Sequence, residues 1–101
     1  MESHDHTLWP PDQPIPGHIF DAGTDPPAAR ITELVASGRV VLVTLGGQGS
    51  GLLAAASVYA WLGVRVFRAP PETWDDLRQV LDMVESIKGT RPPALSRRAL
   101  A

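Results

Sequence analysis

Residues 39–45 read RVVLVTL, with apolar side chains at odd and even positions alike. Alternating polarity marks a strand with one wet face. Apolar, β-branched residues on both parities mark a strand covered on both faces, as in a parallel sheet. Shorter strand candidates flank this run at residues 18–21 (HIFD) and 64–68 (VRVFR). Between the three, the spacing of apolar positions changes to three and four. Ile31, Leu34 and Val35 form one face of a helix predicted over residues 27–37, with Thr24 or Asp25 as its cap and Gly38 as its stop. Residues 52–62 predict a small-residue helix in which Ala54, Ala55 and Ala56 allow close approach to a sheet, ended by Gly63. Pro70-Pro71-Glu72-Thr73 opens a last helix running to Lys88, whose face is Trp74, Leu77, Val80, Leu81, Val84 and Ile87. Trp61 and Trp74 are expected in the core, and Tyr59 is expected to reach solvent with its hydroxyl.

The order is β-α-β-α-β-α with short connections, so right-handed crossovers predict three parallel strands side by side. The fold class is α/β: a three-stranded parallel unit like the last part of a (β/α)8 barrel. Residues 1–16 are expected to form an extended or flexible arm, which Leu8, Trp9 and Ile15 can dock. Residues 17–89 form the β-α domain, and residues 90–101, with Arg91, Arg97 and Arg98, a basic tail. A three-stranded sheet has two open edges and apolar strands that three helices cover poorly. The sequence therefore predicts a chain that leans on a partner.

Composition narrows the function classes. The chain has 101 residues, a formal net charge of −2, and no cysteine, which excludes disulfides and thiolate metal sites. That charge leaves no electrostatic footprint for nucleic acid, and glycine and serine break every apolar run short of a membrane span. A cytoplasmic protein with no cofactor is expected. His4 and His6 flank Asp5 in the arm, too small a donor set for a metal site. The ten prolines cluster in the arm, ahead of two predicted helices and in the tail. They punctuate the chain rather than disorder it.

Between the central strand and the alanine-rich helix, LGGQGSGL packs four glycines into positions 46–51. Backbone N–H groups at a helix start bind anions, and Ser50 can add a hydroxyl and a cap. The spacing is neither the dinucleotide fingerprint nor the phosphate loop ending in Gly-Lys-Ser/Thr, and no acid stands about 20 residues on to take a ribose. The loop is either an anion cradle, a flexible replacement for a functional loop, or a place where another backbone comes close.

Four segments in order carry a family resemblance: Asp21-Ala22-Gly23 after a short strand, ELVASGRVVLV, AAASVYAWLGVRVFR, and LDMVESIKGTRPPALSRRALA. Together, over roughly residues 17–101, they resemble the final three strand–helix units of dihydropteroate synthase, the folate-pathway (β/α)8 barrel, and the closing stretch is similar to actinobacterial members and their paralogues. The resemblance implies a site at the C-terminal ends of the strands. Asp21 matches the aspartate that hydrogen-bonds the pterin ring, with Ala22 in place of the family's proline; alternatively it only caps a turn. Gly46-Gly47-Gln48 stand where the family has Ser-Arg-Lys, so the pterin-contacting lysine is missing. Arg68 matches the pyrophosphate-binding arginine of the last strand, with Arg65 as a competing match, and Pro70 occupies the histidine position. Residues 1–16 stand where five strand–helix units and a metal-binding asparagine would precede.

Three functional expectations follow. The first is a non-catalytic synthase-like subunit, a pseudoenzyme that self-associates, most simply as a dimer, or joins a barrel-like partner. The second is a pterin- or phosphate-binding module using Asp21, Gly46, Gly47, Gln48, Gly49, Ser50 and Arg68. The third is a folate-pathway transferase whose site is rebuilt in an oligomer.

Overall fold

A computed structural model describes residues 6–90. Its elements are β1 (Thr7–Trp9), β2 (Ile19–Thr24), α1 (Ala28–Ala36), β3 (Val40–Thr44), α2 (Gly49–Leu62), β4 (Val66–Arg68), a 3-10 turn (Pro71–Thr73) and α3 (Trp74–Thr90). The expected α/β unit is present, and all strand pairings are parallel. The sheet has four strands rather than three, in the order β1-β4-β3-β2. The extra strand comes from the leader. It is three residues long and pairs with β4, more than fifty residues away in sequence, so no local pattern announces it. The basic tail beyond residue 90 lies outside the described residues.

Register assigns the two faces of the sheet. Val43 aligns with Phe67, and Phe67 with Leu8. These three and Val41 form one cluster with Ile31, Ala56, Tyr59, Leu77, Leu81 and Val84 from the helices. All three helices therefore cover the same face, the outer one. Leu42 aligns with Val66 on the inner face, and they are only 0% and 4% exposed although neither belongs to that cluster. Among the described residues, the segment that runs past this face is the leader, residues 10–18. Trp9 and Arg68 align on the inner face; the Trp9 Nε1–H donates to the Pro14 carbonyl (3.2 Å) and the Arg68 Nη2–H to the Gln13 carbonyl (2.9 Å). Residues 10–18 thus cross the sheet from edge to edge on the side away from the helices. The return crosses in the opposite sense and on the opposite face, so it keeps the hand of the helical crossovers.

The helices end as their glycines predict and begin differently. At the end of α2, Gly63 is left-handed (φ 113°), its N–H donates to the Ala60 carbonyl, and the Val64 N–H donates to the Tyr59 carbonyl. This pair of bonds closes the helix. A Cβ there would meet Val35 Cγ1 at 2.8 Å, so close packing of α2 on α1 also demands glycine. No side chain caps α1, whose N-cap is Pro27; Thr24 and Asp25 lie too early, and Asp25 is used elsewhere. The start of α2 lies at Gly49, three residues ahead of the expected Leu52. Two aromatic expectations are corrected. Trp61 is 54% exposed, because α2 is apolar on every side and periodicity cannot choose its buried stripe. Tyr59 is buried, with its hydroxyl donating to the Pro26 carbonyl at 2.6 Å. Trp74 is half-buried, its Nε1–H bound to the Ala69 carbonyl, whereas Ile87, expected on the buried face of α3, is exposed.

Candidate functional site

The strands' C-terminal ends gather Asp21, the glycine loop and Arg68 at one end of the sheet. Asp21 aligns with Leu42, which aligns with Val66; Arg68 lies two residues further along β4 and aligns with Thr44. Both residues belong to the inner face, with β3 between them. Adjacent strands are about 4.8 Å apart, so the two backbones stand roughly 10 Å from each other across β3. Arg65 precedes β4 and lies at the other end of the sheet. It lines a hollow of about 300 Å³ with Ala60, Gly63, Glu85, Lys88 and Gly89. Position along the strand therefore favours Arg68 as the strand-end arginine.

Each of these groups has a partner within the chain. The Asp21 Oδ1 accepts the Gly23 N–H at 2.9 Å, a turn that a short acidic side chain forms with its own backbone two residues on. Arg68 reaches back to Gln13, while its Nε is buried with no hydrogen-bond partner. Asp25 was missed as a site residue. It is left-handed (φ 46°), its N–H donates to the Thr44 carbonyl (3.0 Å), and its two carboxylate oxygens accept the Gly46 N–H at 3.3 and 3.2 Å. The amide that begins the glycine loop is thus held by the chain's own carboxylate. A Cβ on Gly46 would meet Asp25 Oδ2 and Thr24 Cγ2, both at 2.8 Å. A larger residue at 46 would push one of these side-chain ends aside and disturb the Asp25 contact. Gly47, Gln48, Gly49 and Ser50 are exposed. Gln48 is the N-cap of α2 without a side-chain cap bond, and Ser50, expected as the cap, lies inside the first turn.

Two titratable side chains are buried, Tyr59 beside this framework and His6 at the opposite end of the sheet. Burial and the neighbouring Asp25 hold the Tyr59 phenol above its usual value of 10.0. His6, 7% exposed, lies against Phe67 with its Nε2 3.4 Å from Glu85 Oε2. Burial lowers its pKa from 6.5, with Glu85 opposing that shift. His6, just before β1, is two residues from buried Leu8 and so falls on the same face of the extended chain, which is the signal that would have placed it inside. Among the described residues there is no group of three or more side chains able to hold a metal ion, and His4 and Asp5 lie outside them.

No family model matches the sequence. A curated relative, inactive dihydropteroate synthase 2 of Mycobacterium leprae, is 38% identical over 85 residues, covering 70% of this chain and 28% of the relative. This chain is dihydropteroate-synthase-like. A solved structure of Mycobacterium tuberculosis Rv1207 agrees, with 39% identity and a TM-score of 0.56 over 65% of this chain and 28% of that one. The synthase-like chain thus spans little more than a quarter of the length of either protein. Its sheet order is informative in that light. Closing a barrel sets the first strand beside the last, and here the N-terminal β1 pairs in parallel with β4, the strand that ends the sheet units.

Proposed function

We propose that this synthase-like chain is a non-catalytic subunit that acts by association, with a second copy as a dimer or with a barrel-like partner. The observation that carries this reading is that the strand-end groups are committed internally: Asp21 to Gly23, Gly46 to Asp25, and Arg68 to Gln13. The lysine and histidine positions of the family pattern hold Gln48 and Pro70, so those positions supply neither the cation nor the proton carrier of that pattern. The name of the Mycobacterium leprae relative supports the same reading. Association is supported by the outer edge of β2, unpaired among the described residues, and by the exposed apolar side chains of Val58, Trp61, Met83 and Ile87. A cytoplasmic setting belongs to the proposal, since a chain without cysteine gains nothing from an oxidising compartment.

Light scattering on the size-exclusion eluate of the purified chain, with an assay for condensation of a pterin pyrophosphate with aminobenzoate, tests both halves. Twice the chain mass and no condensation are expected. A monomer at every micromolar concentration would overturn the dimer and leave only the barrel-like partner, and turnover would restore the transferase reading. A second reading, a module that holds a pterin or phosphate without turning it over, is favoured by the unpartnered Arg68 Nε. Titration with a pterin, its phosphate and inorganic pyrophosphate addresses it: binding that survives both Asp21→Asn and Arg68→Ala would remove the proposed site.

A further inference from the structure

We propose that residues 6–18 form a pH-sensitive strap, seated by His6 on the helix-covered face and crossing the inner face through residues 10–18, which stays docked while His6 is neutral and is released when His6 takes up a proton. The proposal stands on where His6 sits. It immediately precedes β1, its side chain is 3% exposed, and it packs against the Phe67 ring at a centroid distance of 5.9 Å. Its Nε2 has no hydrogen bond and stands 3.4 Å from Glu85 Oε2. The charged groups facing it are Glu85, Asp82 and Lys88 on α3 and Arg65 just before β4. The two acids favour the imidazolium; Lys88, Arg65 and, most strongly, burial oppose it.

The strap itself is weakly attached. The described bonds that anchor it beyond the short β1 ladder are Thr7 N–H to the Arg65 carbonyl, Ala69 N–H to the Trp9 carbonyl, and the Arg68–Gln13 contact. An element with so few bonds opens at a free energy below that of global unfolding. Pro10 and Pro16 open turns, closed by Gln13 N–H to the Pro10 carbonyl and Ile19 N–H to the Pro16 carbonyl, and the four prolines of the crossing segment lower the entropy cost of laying it back down. The direction of the switch follows from linkage. A released His6 titrates near its ordinary 6.5, and the docked one titrates lower. Between those two values release takes up a proton, so docking is strongest above about pH 6.5 and weakens as pH falls through that window. What opens is the inner face that the leader crosses, beside Arg68.

Hydrogen–deuterium exchange of the whole chain at pH 7.5 and 5.5, corrected for intrinsic exchange rates, reads this directly. The amides of Leu8, Trp9 and Ala69 should lose protection by up to about tenfold per pH unit below 6.5, the limit for uptake of one proton, while Leu42 and Val43 stay protected. His6→Phe, which keeps a ring against Phe67, should show no such change, and His6→Gln serves if the phenylalanine variant folds poorly. Protection that is flat or rises on acidification would overturn the proposal. So would strap and β3 amides opening together, or an equal pH response in both variants.

Discussion

Asp25 adopts a conformation that most side chains avoid, and its place in the structure explains why. With φ at 46° it turns the end of β2 back so that its carboxylate meets the Gly46 N–H. Aspartate tolerates this region better than most residues because its short polar side chain bonds locally. The sequence marked both ends of this contact, the glycine cluster and a candidate cap, without joining them. They are 21 residues apart, and nothing in either local pattern says which anion the loop receives. Gly46→Ala should therefore destabilise the chain by about 1–3 kcal/mol through overpacking, a drop in Tm of roughly 5–20 °C for a domain this size. Gly47→Ala, whose Cβ meets nothing closer than 3.5 Å, should change Tm little; thermal unfolding followed by circular dichroism compares them. Tyr59 offers a second case. Its hydroxyl satisfies a buried proline carbonyl, so Tyr59→Phe should cost about 1–3 kcal/mol at neutral pH by stranding that oxygen. Because the folded phenol holds its proton to higher pH than an unfolded one, wild-type stability should fall as pH rises above about 10. Tyr59→Phe should lack that component of the decline in urea unfolding curves at pH 8 and 10.5.

Among the elements, those with a periodic apolar pattern and a glycine stop were legible, and those without were not. Helix α1 and strand β3 fall within a residue or two of their expected limits. The β1 strand did not show in the sequence, since three residues carry too little pattern and its stability is entirely long-range. Helix α2 was visible as a helix but not as an oriented one, which is why Trp61 was expected inside. That helix also has no basic residue in its last turn, so its C-terminal carbonyls need a cation from elsewhere. Lys88 of α3 supplies it, with Nζ 3.1 Å from both the Ala60 and Trp61 carbonyls and 5.9 Å from the Trp61 ring centroid. A cation at a helix C-terminus and two hydrogen bonds from a charged donor together predict a loss of about 1–2 kcal/mol for Lys88→Met. Lys88→Arg should lose less, since the charge remains. Chemical denaturation of the two variants against wild type measures the difference, and equal stability of all three would show that the contact between α2 and α3 rests on apolar packing alone.

For the molecule as a whole, the sequence pattern identified strands needing cover on both faces but not the source of the inner cover. The helices cover the outer face, and the leader crosses the inner one and pairs with β4. Folding thus depends on a segment whose composition, rich in proline and polar residues, suggested an arm. The contribution of that segment is bounded by what it buries. Full burial of a leucine or valine side chain is worth about 1.5–3 kcal/mol. For Leu42 and Val66 together that is about 3–6 kcal/mol, of which the leader's share is a part, since the neighbouring strands flank both residues. A domain of this size has only about 5–15 kcal/mol in total. A variant lacking residues 1–16 should accordingly be marginal at 25 °C, bind a hydrophobic dye through its uncovered inner face, and associate beyond a dimer in light scattering. Adding back a synthetic peptide of residues 1–16 should reverse dye binding, because the covering surface is restored without the covalent link. If the shortened chain instead unfolds at the same denaturant midpoint as the full one and takes up no dye, the leader is not what keeps Leu42 and Val66 dry. Some other segment would then have to cover the inner face.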